Sequence, residues 1–376
     1  MKRYDAVVVG GGPAGSATAW HLAAAGASVL LVDRATFPRD KPCGGGMTTR
    51  AVDHCPIDPS PVVEEVVDVV ELRFRFGPAV VRHARAPLIR MTQRRRLDAF
   101  LLDAARDRGV EVREGARVEL DGASDTVSLA GERVGLSALV GADGANGITR
   151  RAFGLGDGIA HGVAFEGNAR YGDVSRERYA RRAVVELGGP PGGYGWVFAK
   201  GDHVNVGVGA WGSEGPRIRE HLARVCSAHG IDAAKLERVR GHRLPMRRPG
   251  ARIAGERVLL VGDAAGLIDP VSGDGMYECF VSARLASEAV LDLLAGRAGS
   301  LRPYEAAVDS ALMPLHNASW KLKRAFDRWP RASWRLASAG VTWRSVERVL
   351  QGELAHPGEQ SGLARVPLKA LAVLGR

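Results

Sequence analysis

The stretch that decides the fold lies at the start of the chain, where Tyr4–Gly15 reads YDAVVVGGGPAG. A β-branched apolar run leads into Gly10, Gly12 and Gly15, and an alanine-rich segment over 16–25 follows. The spacing G-x-G-x-x-G between a strand and a helix is typical of a dinucleotide-binding turn. The first glycine permits the tight turn, the second lets the backbone approach a pyrophosphate, and the third lets helix and sheet pack closely. The unpaired N–H groups and positive dipole end of the helix favour a phosphate ligand.

An acid follows the second predicted strand. Ser28–Val32 is an apolar run that ends at Asp33, with Arg34 directly after it. In dinucleotide-binding units an acid at this position accepts a hydrogen bond from the adenosine ribose. Strand, turn, helix and acid together predict a Rossmann-type unit that holds the adenosine end of a dinucleotide.

Length and composition indicate a globular protein with more than one domain. The chain has 376 residues, of which 45% are hydrophobic and 25% charged, enough for two domains and a large core. No apolar run reaches about 18 residues, so we expect no membrane-spanning helix. The N-terminal strand is too short for a signal peptide. The four cysteines are scattered without a C-x-x-C pair, which predicts no metal site and a cytoplasmic location.

Much of the net charge of +10 lies near the C-terminus. Residues 316–376 hold eleven Lys and Arg against four Asp and Glu, a net of +7, and four of the seven tryptophans. One interpretation is a solvated helical face with tryptophans in the core. The alternative is a basic aromatic surface that makes peripheral contact with an anionic membrane. No recognition motif supports nucleic-acid binding. We expect residues 301–376 to be helical, with breaks at Pro303, Pro314, Pro330 and Pro357.

Elements suited to a nucleotide recur late in the chain. Val258–Val261 is an apolar strand followed by Gly262 and Asp263, and Asp269–Met276 leads into a helix predicted over 273–294. An acid at a strand end can bond a ribityl hydroxyl, and a helix N-terminus can stabilise negative charge on a reduced flavin. The alternative is an ordinary turn with an acid at the helix start. The pattern favours a discontinuous dinucleotide-binding domain (1–70, 92–155 and 252–300), a mostly β substrate domain (71–91 and 156–251) and a helical basic C-terminal region (301–376).

Four motifs together resemble the para-hydroxybenzoate hydroxylase superfamily of FAD proteins, and within it the geranylgeranyl reductase family. They are the first glycine turn, ADG over 142–144, the Gly262-Asp263 pair with P-x-x-G-x-G over 270–275, and FPRDKPCGGG over 37–46. The resemblance implies an α/β fold with a Rossmann-type FAD-binding domain, a mostly β substrate domain and no separate nicotinamide domain.

The same resemblance assigns the parts of FAD to different motifs. The first turn and Asp33 hold the ADP half, Arg94 contacts the pyrophosphate region, and Asp263 takes the ribityl chain. Arg95 and Arg96 flank Arg94, so this assignment can shift by one or two positions. The implied FAD-binding residues are Gly10, Gly12, Pro13, Ala14, Gly15, Asp33, Arg34, Cys43, Gly44, Gly45, Gly46, Met47, Arg94, Asp143, Gly144, Gly262, Asp263, Pro270, Gly273, Gly275 and Met276.

An aromatic segment resembles the reductases in particular. Tyr194, Trp196 and Phe198 alternate along a predicted strand and therefore share one face. The reductase pattern is aromatic-x-Trp-x-Phe-Pro, and Ala199 stands here in place of the proline. The W-x-W-x-I-P motif of halogenases with this fold is not satisfied. We predict that the three aromatic side chains contact a flat or isoprenoid substrate beside the flavin, and the alternative is ordinary core packing.

Two residues are candidate proton donors. The Cys43 thiol, beside the flavin by the resemblance, can protonate an alkene carbon as a hydride arrives, or it fills space between glycines. Tyr194 is the second candidate. Lys41 and Arg39 either guide the phosphates of a nicotinamide donor or lie in solvent.

Three functions are compatible with these motifs. The first is FAD-dependent reduction of isoprenoid double bonds in a polyprenyl lipid, diphosphate or quinone side chain, with NADPH or another electron donor. The second is an FAD monooxygenase of an aromatic or natural-product substrate. The third is a prenyl-protein escort or lipid carrier on the same fold without redox chemistry, which the intact flavin motifs disfavour. We therefore predict a small-molecule partner.

Overall fold

The computed structural model describes residues 1–122, 125–361 and 365–375. Residues 362–364 and 376 of the predicted helical region therefore lie outside the described residues. The strands are β1 (Arg3–Val9), β2 (Val29–Val32), β3 (Gly46–Thr48), β4 (Glu65–Val67), β5 (Val69–Phe74), β6 (Val80–His83), β7 (Ile89–Met91), β8 (Glu111–Arg113), β9 (Val118–Glu119), β10 (Thr126–Leu129), β11 (Glu132–Gly141), β12 (Ala160–Arg170), β13 (Arg182–Leu187), β14 (Tyr194–Ala199), β15 (His203–Trp211), β16 (Glu237–Met246) and β17 (Val258–Leu260). The α-helices are α1 (Pro13–Ala24), α2 (Thr49–Asp53), α3 (Arg94–Asp107), α4 (Thr149–Ala152), α5 (Arg176–Tyr179), α6 (Ile218–Ala228), α7 (Met276–Leu294), α8 (Pro303–Arg328), α9 (Pro330–Ala337), α10 (Gly340–Leu350) and α11 (Arg365–Leu374).

The first sheet has a parallel core that carries the glycine turn. Its strand order is β8-β2-β1-β11-β10-β9, and β17 also pairs with β11. Val9 of β1 lies opposite Val32 of β2 and Gly141 of β11, and Gly141 pairs with Leu260 of β17. The carboxyl ends of four strands therefore meet at one edge, which is where open α/β sheets bind ligands. The predicted α/β fold is confirmed.

Helices α1 and α7 pack against each other beside this sheet. The helix predicted over 273–294 begins at Met276, because the preceding residues form a turn in which Gly273 has a φ of +65°. A left-handed residue cannot continue a right-handed helix, so the turn sets the helix start.

The second sheet is mixed and has the order β16-β12-β15-β14-β13-β5-β6. All its neighbours are antiparallel except β13 and β5. Two of its strands come from the first 100 residues and five come from 160–246. The chain therefore contributes to this sheet in two separate segments. A third sheet, β3-β7-β4, follows the Cys43 loop. The domain boundaries given above stay a prediction.

The C-terminal region is helical, but its expected break at Pro314 is wrong. Helix α8 continues from Pro303 to Arg328 through this proline. A proline removes one backbone hydrogen bond inside a helix, and here α8 packs on α7 and α11, with Leu312 and Leu315 buried on either side of the proline. Tertiary packing outweighs the local penalty. Within the described ranges, no helix is long and apolar enough to cross a membrane.

Candidate active site

The glycine turn is built by close backbone approaches. Gly10 has a φ of +109°, and a Cβ on it would lie 2.4 Å from the Ala142 carbonyl oxygen. A Cβ on Gly15 would lie 1.9 Å from the Gly10 carbonyl oxygen. Helix α1 then begins at Pro13 without a side-chain cap. Its first N–H groups are therefore available to an anion at the sheet edge.

Asp33 lies at the end of β2 and its carboxylate is buried. Its Oδ2 accepts a hydrogen bond from the Gly11 N–H at 2.7 Å, and its Oδ1 accepts from the Ala35 N–H at 2.8 Å. The acid therefore braces the glycine turn in this structure. It also lines the cavity together with the exposed Arg34, and its contact with a ribose stays a prediction.

A fully buried carboxylate, Asp98, holds two arginines beside the turn. Arg94 donates to its two oxygens at 2.6 and 2.7 Å, and Nη1 of Arg39 lies 2.9 Å from Oδ2. Burial alone would lower the pKa of Arg94, but Asp98 raises it well above the ordinary value. Two guanidinium groups share one carboxylate, which leaves positive charge next to Gly12 for a pyrophosphate. Arg95 and Arg96 are exposed.

Asp263, in the turn that follows β17, is a second carboxylate of the cavity lining. Nζ of Lys41 lies 2.8 Å from its Oδ2, and Nε2 of His242 lies 3.6 Å from the same oxygen. Burial raises the pKa of this carboxyl, but Lys41 and His242 together hold it far below the usual range. Lys41 and Arg39 are thus ion-paired in the cavity wall, and the interpretation that they lie in solvent is wrong, because buried carboxylates draw both inward.

The turn over 269–275 opens α7 toward the same cavity. Oδ1 of Asp269 accepts from the Val271 and Ser272 N–H groups at 3.1 and 2.8 Å. Oδ1 of Asp274 accepts from the Met276 N–H at 2.9 Å, while its buried Oδ2 has no hydrogen-bond partner within the described part of the chain. Burial and the neighbouring Glu278 carboxylate raise the pKa of Asp274 to about 7. Sequence reasoning missed this acid, although it stands between the two glycines of the quoted motif.

Two buried ionic side chains clamp the Cys43 loop. Oε1 of Glu166 accepts from the Cys43 N–H at 2.7 Å, and Nζ of Lys200 donates to the Cys43 carbonyl oxygen at 2.9 Å. Burial raises the pKa of Glu166, and Lys200 opposes that shift. The Cys43 Sγ accepts from the Gly45 N–H at 3.4 Å. Neither clamp residue was predicted; the sequence signal was a charged residue inside an apolar strand or directly after one.

The aromatic residues of β14 form one continuous wall. The ring centroids of Tyr194 and Trp196 are 6.1 Å apart, and those of Trp196 and Phe198 are 6.3 Å apart and stacked. The indole N–H of Trp196 donates to Oδ1 of Asn205 at 2.7 Å. The Tyr194 hydroxyl donates to the Ser272 carbonyl oxygen, and burial, with two nearby aspartates, raises the pKa of Tyr194 above its ordinary value. A Cβ on Gly44 would lie 3.1 Å from the Phe198 ring, so the wall faces the Cys43 loop.

One cavity of about 1320 Å³ joins these parts. Its lining includes the glycine turn, the Cys43 loop, the ADG turn with Asp143 and Gly144, the turn before α7 and the aromatic wall. It also includes apolar side chains of the C-terminal helices: Leu315, Leu322, Phe326, Trp343, Val346, Val349, Leu350, Leu368 and Leu371. The C-terminal region therefore forms part of the wall of the same cavity.

Four of the predicted FAD-binding residues are not part of the cavity lining. Gly15 and Gly262 allow close packing, since a Cβ on Gly262 would lie 3.0 Å from the Ala14 Cβ and 2.9 Å from the Cys279 sulfur. Met47 is packed in the core with Phe280, and the fourth is Pro270. The remaining seventeen predicted FAD-binding residues line the cavity.

The chain matches the family described as FAD binding domain over residues 3–302. It is 33% identical over 359 residues to the chloroplastic geranylgeranyl diphosphate reductase of Oryza sativa, covering 87% of this chain and 76% of that relative. It is 34% identical over 315 residues to the menaquinone reductase of Mycobacterium tuberculosis, covering 76% of each.

Solved structures share the fold. A geranylgeranyl bacteriochlorophyll reductase-like protein from Thermoplasma acidophilum has a TM-score of 0.81 at 22% identity and covers 99% of this chain and 100% of its own. The flavin-dependent brominase Bmp2 has a TM-score of 0.76 at 18% identity and covers 98% of each chain. At these identities the structures show the fold alone.

The chain belongs to the geranylgeranyl reductase family of FAD-binding flavoproteins, as its motifs predicted, and it is an FAD-dependent oxidoreductase. The residues present fit FAD. A Cβ on Gly12 would lie 3.4 Å from Nη2 of Arg39 and 3.9 Å from Nη2 of Arg94, so the bare glycine leaves room for a pyrophosphate beside both guanidinium groups. The buried Oδ1 of Asp143 has no hydrogen-bond partner among the described residues, which suits a hydroxyl or N–H of a ligand.

Proposed function

We propose that this protein reduces carbon–carbon double bonds of isoprenoid substrates with the help of bound FAD. The observation that carries the proposal is the composition of the cavity, in which apolar side chains of α8, α10 and α11 join the predicted FAD-binding residues. A long hydrocarbon chain is the ligand that such a lining desolvates best. The names of the relatives, a geranylgeranyl diphosphate reductase and a menaquinone reductase, support this substrate class.

The protein's part in the reaction is to bind and orient. FAD, once reduced, supplies the hydride. The wall of Trp196 and Phe198 offers a flat apolar surface against which an alkene can lie, and the hydrogen bond to Asn205 fixes the indole. Glu166 and Lys200 hold the Cys43 loop on the other side. Apolar walls exclude water that would compete for reactive groups.

Reduction of an alkene also needs a proton on the second carbon, and we assign it to Cys43. The Gly45 N–H directed at the sulfur would stabilise the thiolate that remains after proton transfer. Tyr194 is the second candidate, and its hydroxyl proton is already shared with the Ser272 carbonyl. Replacement of Cys43 by serine should slow product formation more than Tyr194→Phe does, while flavin reduction continues at the same rate. Equal losses in both variants would contradict the assignment.

NADPH is the reductant we propose. Mixing the flavin-loaded enzyme with NADPH without oxygen should bleach the flavin absorbance, and dithionite serves as the control that the flavin is reducible. If only dithionite bleaches the flavin, the electron donor is another reductant and the proposal for the substrate is unaffected.

The decisive experiment measures the mass of the product. The reduced enzyme is mixed with geranylgeranyl diphosphate or with menaquinone, with and without oxygen. A product heavier by two hydrogens in both conditions supports the reductase. A product that gains one oxygen atom, and only in air, overturns it in favour of the monooxygenase alternative. A Trp196→Ala variant, with its flavin still bound, should lose most of either activity.

A further inference from the structure

The C-terminal helices expose apolar side chains to an unusual extent. Val366 and Val373 of α11 are 62% and 60% exposed, and Trp329 before α9 is 49% exposed. Val341 and Val346 of α10 are 37% and 39% exposed. Helices α9, α10 and α11 pack against one another. We call these five side chains the C-terminal apolar surface. Exposed apolar groups gathered in one part of a protein mark a contact with a partner or a membrane.

The same helices, together with the end of α8, carry exposed positive charge. Exposed cations of the same helices and of the end of α8 are Lys321, Arg324, Arg328, Arg331, Arg335, Arg344 and Lys369. Across this part of the chain, within the described residues, the ion pairs join Arg348 to Glu353, His356 to Glu359 and Arg85 to Glu347. None of these pairs uses one of the seven exposed cations, so their charge is available to an anionic partner.

The same helices line the cavity. On α11, Leu368 and Leu371 face the cavity, whereas Val366, Lys369 and Val373 are exposed. Val346 of α10 is both exposed and part of the cavity lining. The cavity therefore reaches the protein surface beside this exposed valine of α10.

The four tryptophans of residues 316–376 differ in how far they are exposed. Trp320 stacks on Trp211 with ring centroids 6.2 Å apart, Trp334 stacks on Phe74 at 5.7 Å, and the third, Trp343, is buried. Only the fourth, Trp329, is exposed. Trp343 is thus a core residue, Trp320 and Trp334 are half-buried against aromatic partners, and the exposed apolar side chains are mainly valine.

We propose that the C-terminal apolar surface docks on an anionic phospholipid bilayer and that an apolar ligand enters the cavity beside α10 and α11. Valine and tryptophan side chains on short helices insert at the headgroup level, while surrounding lysines and arginines contact lipid phosphates. A second protein would also cover apolar groups, but the concentration of unpaired cations favours a negatively charged surface. A portal at the bilayer lets a water-insoluble chain reach the cavity without crossing water. The docking does not depend on the reaction proposed above.

The test uses the full-length, flavin-loaded protein and sedimentation with vesicles. Vesicles of pure phosphatidylcholine are compared with vesicles that contain phosphatidylglycerol. The test variant carries Val366→Asp and Val373→Asp, and the matched control carries Val81→Asp and Val239→Asp, which lie on the second sheet and are 37% and 36% exposed. Both pairs add the same charge to exposed positions, and flavin content and thermal unfolding confirm that each variant is folded.

The wild type and the control should sediment with the phosphatidylglycerol vesicles, and less with neutral ones. The Val366/Val373 variant should bind at least tenfold more weakly. Absence of wild-type binding, or an equal loss in both variants, overturns the proposal. A change in the mass of the free protein in place of a change in vesicle binding would identify a second copy of the chain as the occupant and would also overturn it. Activity on detergent-solubilised substrate separates this outcome from a failure of the proposed function.

Discussion

Asp274 illustrates at the residue scale how burial converts an acid into a pH-sensitive group. Its pKa in the folded protein is about 7, against an ordinary value of 3.8. Between these two values the unfolded chain has lost the proton and the folded chain keeps it, so the folded state binds more protons and stability falls as the pH rises. The loss begins near the lower value and is complete above the upper one.

We therefore expect Asp274→Asn to flatten the dependence of stability on pH. The free energy of unfolding of the wild type, relative to this variant, should decline between about pH 4 and pH 7, by at most about 1.4 kcal/mol per pH unit. Urea unfolding at several pH values measures it. Parallel curves for the two proteins would contradict the assigned pKa.

The pair of Lys41 and Asp263 predicts a non-additive effect. Lys41→Met leaves the mostly buried carboxylate of Asp263 without its ion-pair partner at 2.8 Å, and should destabilise the protein by roughly 1–3 kcal/mol. Adding Asp263→Asn removes the stranded charge, so the double variant should be more stable than Lys41→Met alone. Chemical unfolding of the two single variants and the double variant tests the pair, and an additive result would show that the two charges do not interact.

A substitution at Gly15 tests how closely α1 approaches the Gly10 carbonyl in the glycine turn. Gly15→Ala would place a methyl group 1.9 Å from a carbonyl oxygen, and the resulting shift of α1 should cost roughly 1–3 kcal/mol of stability and most of the bound FAD. Gly299→Ala is the matched control, because nothing lies within 4 Å of the position of its Cβ. Flavin absorbance per chain after purification is the measurement, and equal flavin content in both variants would contradict the prediction.

At the scale of the elements, local patterns predicted what depends on neighbours in sequence. The alternation of Tyr194, Trp196 and Phe198 placed their rings on one face, because side chains of a strand alternate. The rule that proline breaks a helix failed at Pro314, because the rule considers only the local sequence and not the helices that pack on α8. The clamp on Cys43 joins residues 123 and 157 positions apart in sequence, and no local pattern reports such a contact.

That clamp gives a prediction for the Cys43 loop as an element. Lys200→Met removes the hydrogen bond to the Cys43 carbonyl and leaves Glu166 without its buried cation, so the loop should lose its fixed position. We expect the dissociation constant for FAD to rise about tenfold, equivalent to about 1.4 kcal/mol. Lys235→Met is the control, since that lysine pairs with Asp173 at the surface. Flavin fluorescence titration measures both, and equal affinities would contradict a role for the clamp.

At the scale of the whole molecule, FAD should act as a structural partner, since the predicted site draws on both the beginning and the last third of the chain. Free FAD at about 100 times its dissociation constant should add about 2.7 kcal/mol to the free energy of unfolding. The melting temperature of the protein stripped of flavin should therefore rise steadily with FAD concentration. A melting temperature that does not change with added FAD would show that FAD does not bind the folded chain in preference to the unfolded chain, and would contradict the prediction.

The role of the C-terminal helices was the least predictable feature at this scale. Composition and charge marked residues 316–376 as unusual, but helices such as α8 and α10 line the cavity only because the chain returns to it after completing both sheets. The return path depends on packing between distant segments, which a single sequence does not display. The glycine motifs could be predicted from the sequence because each is a short contiguous segment whose residue spacing alone indicates what it binds.

The distance along the chain between Lys41 and Asp263 has a consequence for biosynthesis. These two side chains meet across 222 positions, and a ribosome that adds about 5–20 residues per second needs roughly 11–44 s to make the intervening stretch. During that time β1 has left the ribosome without the strand that completes its sheet. We therefore expect flavin to bind only after the second predicted nucleotide-binding segment has been synthesised. Chains that terminate before this segment should not bind flavin, and we expect proteases to degrade them.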